Sequence, residues 1–67
     1  MWVRCGERMV NIDHVMHFDV HHTYIEFTSP NGEGAAMRFE SVESAQDAYC
    51  ELCAAIAMRD TFVTLGS

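Results

Sequence analysis

The sequence predicts an α+β domain in which an antiparallel meander of about four strands packs on one C-terminal helix. Three observations carry this. Residues 41–60, SVESAQDAYCELCAAIAMRD, place apolar side chains three and four positions apart. Residues 15–28 instead alternate apolar and polar side chains. Before the helix comes Ser29-Pro30-Asn31-Gly32-Glu33-Gly34, the strongest turn signal in the chain.

Taken in order, Trp2 sits in a weakly alternating start that meets Gly6, and Met9 to Ile12 is apolar again, the pattern of a short hairpin. Asn11-Ile12-Asp13 reads as a bend, because Asn and Asp side chains bond nearby backbone. In the strand that follows, Met16, Phe18 and Val20 share one face while His17 and Asp19 share the other. With His21-His22 as the connection, Ile25 and Phe27 fall on one side of the next strand and Tyr24, Glu26 and Thr28 on the opposite side.

Centring the later loop on Gly32 sets Phe27 opposite Met37, Ile25 opposite Phe39 and Glu26 opposite Arg38. The earlier turn sets Phe18 opposite Ile25 and His17 opposite Glu26. Both turns deliver Met16, Phe18, Ile25, Phe27, Met37 and Phe39 to one inner face for the helix to cover.

On the helix, Val42, Ala45, Tyr49, Leu52, Cys53 and Ile56 form the expected core stripe. Ser41 is the expected N-cap, with Glu43 and Asp47 favoured near the positive end of the dipole and Arg59 near the negative end. The opposite side carries Cys50, Ala54, Ala57 and Met58, which is unusual for a helix with one wet face. Alanine favours helices even where exposed, but small residues also let a second helix approach, so these four are read as an oligomer interface. Residues 61–65, TFVTL, suit a short closing strand or an arm laid on a neighbour.

Composition agrees with this picture. A chain of 67 residues is a single small domain near the lower limit for one self-sufficient core, where oligomerisation is a common remedy. Ten carboxylates face four arginines and no lysine, a formal net charge of -6, which disfavours phosphate backbones and anionic lipid as direct partners. Three cysteines without a framework spacing, and no apolar run long enough to span a bilayer, fit a reduced cytoplasmic setting.

Trp2-Val3, Gly6, Val10-Asn11-Ile12-Asp13 with Val15 and Phe18, and Ser41-Val42-Glu43-Ser44-Ala45 form a pattern that resembles small uncharacterised bacterial and phage proteins with a sheet meander followed by one helix. The resemblance implies that fold and carries no catalytic residue.

Candidate chemistry is sparse. His14, His17, His21 and His22, with Asp13 or Asp19, offer zinc or nickel ligands, although strand positions three apart point to opposite faces. Cys50-Glu51-Leu52-Cys53 lies well past the helix cap, where the dipole does not activate the first thiol. His17, Glu26 and Arg38, flanked by Asp19, Tyr24 and Glu40, make a polar outer face suited to binding a protein. No phosphate-cradling loop or nucleophilic triad is legible.

The expected function is a non-enzymatic, homodimeric or larger acidic module that needs no cofactor and binds another protein, as an accessory or inhibitor of a bacterium or mobile element. Two alternatives stand beside it. One is a small zinc- or nickel-binding protein using the histidines; the other is an acidic nucleic-acid mimic that occupies a DNA- or RNA-binding protein.

Overall fold

The computed structural model describes residues 1–66. β1 (Trp2–Cys5), β2 (Arg8–Asn11) and β6 (Phe62–Thr64) form one three-stranded sheet in the order β2-β1-β6. β3 (His17–His21), β4 (Tyr24–Thr28) and β5 (Gly34–Arg38) form a second, in the order β3-β4-β5, and α1 (Val42–Ala57) follows. The fold is α+β, but the expected single sheet of about four strands is corrected to two sheets of three.

The division has a local cause. A 3-10 turn at Ile12–His14 follows β2, fastened by Asn11 Oδ1, which accepts from the Asp13 N–H at 3.1 Å, and by the Val15 N–H, which donates to the Ile12 carbonyl at 3.1 Å. It redirects the chain so that β3 does not pair with β2. The last segment is a closing strand: β6 runs parallel to β1, pairing Trp2 with Phe62, Val3 with Val63 and Arg4 with Thr64. A parallel pair requires a long crossover, and the second sheet together with α1 supplies it.

The second sheet keeps the expected faces in a different register. The turn is His22-Thr23, so Phe18 faces Phe27, Asp19 faces Glu26 and Val20 faces Ile25. His22 takes the left-handed backbone the tight turn requires, with φ 50. The later loop is Ser29–Glu33, closed by the Ser29 N–H on the Glu33 carbonyl at 2.8 Å and by the Glu33 N–H on Asn31 Oδ1 at 3.1 Å. Ile25 therefore faces Met37, and Phe27 faces Ala35. Each register differs from expectation by two residues, and an even shift leaves every side chain on its own face.

Val3, Ile25, Phe27, Met37, Ala48, Leu52 and Leu65 form one buried cluster. Phe18 and Phe39 pack at its edge, whereas Met16 is 63% exposed and leaves the inner face assigned to it. Met16 precedes β3, where its N–H donates to the Thr28 carbonyl at 2.7 Å.

α1 packs on β3 and β4 with a face rotated from the expected stripe. Ala45, Ala48, Leu52 and Ala55 are buried and Tyr49 is half-buried, while Val42, Cys53 and Ile56 are exposed. Alanine on the buried face admits the helix backbone close to the sheet, which a stripe of larger residues would hold off. Ser41 caps the helix as expected, its Oγ accepting from the Ser44 N–H at 3.0 Å.

At the other end the Arg59 N–H donates to the Ile56 carbonyl and the Asp60 N–H to the Ala55 carbonyl, both at 3.0 Å. This is a Schellman closure with Arg59, at φ 58, in the left-handed position that glycine usually fills.

Arg59→Gly is expected to raise stability by about 1 kcal/mol, because glycine holds that backbone without the steric cost. Leu52→Ala is expected to lower it by about 3 kcal/mol, through lost burial and a residual cavity. Urea unfolding midpoints at constant slope check both.

Candidate functional site

The outer face of the second sheet follows from strand alternation. With Phe18, Val20, Ile25, Phe27 and Met37 turned inward, His17, Asp19, His21, Tyr24, Glu26 and Arg38 point away from the core. Three cross-strand rows result: His17 with Thr28 and Gly34, Asp19 with Glu26 and Ala36, and His21 with Tyr24 and Arg38.

The two-residue registers replace the expected pairs. Glu26 meets neither His17 nor Arg38 as a direct cross-strand partner; it lies between Asp19 and Ala36. Arg38 instead stacks on Tyr24, with Cζ 5.4 Å from the ring centroid, and the His21 ring centroid is 5.7 Å from that of Tyr24. One end of the face is thus an aromatic and cationic row, and its middle is a pair of facing carboxylates. Glu40 is exposed beyond β5, just before the helix cap.

Among the described residues the only ion pair joins the Met1 amino group to Asp13 Oδ2 at 3.0 Å. The carboxylates of the outer face are therefore left to solvent or to a partner.

His14 lies in the 3-10 turn, His17 and His21 on β3 and His22 in the following turn, and all four are exposed. Among the described residues no group of three His, Cys, Asp or Glu side chains is arranged to hold a metal ion. Cys50 and Cys53 are both exposed, which corrects the placement of Cys53 in the core stripe.

Cys50, Ala54, Ala57 and Met58 all lie outside the core, and Met58, the helix C-cap, is 76% exposed. Val42, Cys53 and Ile56 are exposed as well; the 3.6-residue repeat puts them on the side of Tyr49, next to Cys50 and Ala57, and puts Met58 at the other edge of the buried face. Tyr49 sets its ring 5.6 Å from that of Phe18. Its phenol is held above the usual range, first by repulsion from the Cys53 sulfur, then by burial and the Asp19 carboxylate.

One feature escapes sequence reasoning. Trp2, Met9 and Phe62 stand on the outer face of the first sheet, each about half exposed. Trp2 and Phe62 are register partners, a neighbourhood that exists only because the two ends of the chain pair. The alternation around Trp2 was the one local signal available.

Cys5 is half-buried on the core side of β1, and burial pushes its thiol up. Alkylation of the folded protein at mildly alkaline pH should therefore modify Cys50 and Cys53 first and Cys5 last. Peptide mass mapping over time checks the order, and denaturation should abolish the difference.

Among the described residues no helix is long and apolar enough to cross a membrane. No family model, curated protein or solved structure matches the chain.

Proposed function

We propose that this protein is a small, acidic, non-enzymatic interaction module that assembles with itself through the exposed flank of α1 and binds another protein through the outer face of the second sheet. The observation that carries the reading is the helix flank. Val42, Cys53 and Ile56 are exposed along one side of a helix whose inward face is alanine at three of its four buried positions, and Met58 is exposed at its C-terminal end. Burying that flank against a second copy would remove apolar surface from water, with Cys50, Ala54 and Ala57 small enough to let the helices approach.

The outer face supplies the second half of the proposal. Its carboxylate row Asp19–Glu26 and its His21–Tyr24–Arg38 row are exposed or half-exposed, largely unpaired within the chain, and set on the rigid frame of a sheet. A partner bringing a cation would meet two carboxylates set opposite each other on adjacent strands. The other eight acidic residues are spread over the first hairpin, the 3-10 turn, the loop after β4, the helix and the segments on either side of it, a distribution that does not favour a nucleic-acid mimic.

Light scattering across a concentration series tests the assembly. The expected result is a mass at least twice that of the chain, reduced to the monomer by Ala57→Arg, which places a long charged side chain in the flank without touching the core. A parent protein that stays monomeric at about 1 mM, a concentration at which even weak self-association registers, overturns the reading.

A further inference from the structure

Three open depressions of about 560, 540 and 310 Å³ lie end to end along the outer edge of β5. The first two share Cys5 and Arg38, and the last two share Gly34 and Ala35, so they form one furrow. All five residues of β5 line its middle, those pointing inward and those pointing outward alike. The furrow therefore follows the edge of the strand rather than either face. Its other wall is the first hairpin, with Cys5 and Arg8 in the middle and Met9 to Asn11 at one end.

The backbone of that edge is open. The Phe39 N–H donates to the Thr23 carbonyl at 2.7 Å, in register with the β4–β5 ladder. Antiparallel pairs alternate between bonded and non-bonded, so Met37 and Ala35 also spend their backbone groups on β4. The N–H and C=O groups of Gly34, Ala36 and Arg38 consequently face the furrow. On the opposite wall the Ile12 N–H donates to the Met1 carbonyl at 2.9 Å, and the same alternation turns the backbone groups of Met9 and Asn11 toward their open edge. Neither edge carries proline or lysine, the usual blocks to strand addition, and Gly34, Ala35 and Ala36 leave room for another backbone.

The charges along the furrow are ordered. Glu40, Asp47 and Glu51 line the end beside the helix, Arg8 and Arg38 the middle, and Trp2, Met9 and Val10 the far end, where Glu33 and His14 stand at the margin.

We propose that this furrow takes an extended peptide of a partner protein as an added strand on β5, running antiparallel to it, with a basic residue first, an acidic residue in the middle and an apolar residue last. The proposal rests on the reading of the protein as an interaction module and assigns that module a second, main-chain-recognising surface. Backbone hydrogen bonds to Gly34, Ala36 and Arg38 supply affinity, and the order of charges fixes direction.

The probe is the acetylated, amidated peptide Arg-Thr-Val-Glu-Val-Thr-Leu, titrated into isotopically labelled protein and followed by amide NMR and hydrogen exchange. Saturable shifts and slowed exchange at Gly34, Ala36 and Arg38 are expected. Exchanging the Arg and Glu of the peptide should weaken binding roughly fivefold, and N-methylation of alternate peptide residues should abolish it.

Ala36→Pro removes an outward N–H without taking a ladder bond, and is expected to abolish binding while the amide spectrum of α1 and β1 stays dispersed. No response of the three amides at about 1 mM peptide, or an equal response to the N-methylated peptide, overturns the proposal. Shifts confined to the outer faces of β3 and β4 also overturn it, yet leave the interaction module standing. Protection of the three amides that appears without peptide and grows with protein concentration assigns the furrow to a second copy and overturns the peptide as occupant. Assembly through the helix is read separately by light scattering of Ala57→Arg.

Discussion

The parallel pairing of β1 with β6 joins the first strand to the last and closes a loop that contains every other element. Val3, fully buried, sits at the middle of that seam with Val10 on one side and Val63 on the other, while the Leu65 N–H ties the chain to the Arg4 carbonyl at 2.8 Å. Contacts so distant in sequence carry a larger loop-closure cost than local ones. α1, docked on β3 and β4, leads the chain back to the start of β6 beside the first sheet.

Docking of the helix rests in turn on an inversion of size. Its inward positions hold alanine three times and leucine once, while the larger Ile56, Met58 and Val42 are turned out. A small inward face brings the helix backbone near the phenylalanines of the sheet, and Phe18, Phe27 and Tyr49 fill the remaining space as a tilted aromatic series. The same choice leaves apolar bulk on the outside. Core packing and the exposed flank are thus two results of one sequence pattern.

Much of the fold was legible in the sequence wherever the determinant was local. The helix and its Ser41 cap, the bend at Asn11, the two hairpins of the second sheet and the inward set of Ile25, Phe27 and Met37 follow from capping chemistry, turn residues and alternation. The determinants that failed to show are non-local. Nothing in TFVTL says that it pairs with β1 rather than lying as an arm on a neighbour, since β-branched residues suit either strand. The helix face is ambiguous in the sequence because alanine and cysteine are apolar on either side, so Cys53 and Ile56 compete with Ala48 and Ala55, and it is the two alanines that the fold buries. The outer-face residues were placed on the correct side, but their partners changed, because a shift of two residues is invisible to a pattern with a period of two.

The single tryptophan stands beside Phe62 on that terminal seam, close to half exposed, on the sheet that does not carry β3 and β4. Its emission is consequently an optical reporter built into the chain. Light from the indole follows whether the final strand is seated, while circular dichroism in the far ultraviolet follows the helix, so separation of the two signals on warming would mark a state with its ends undone and its centre intact.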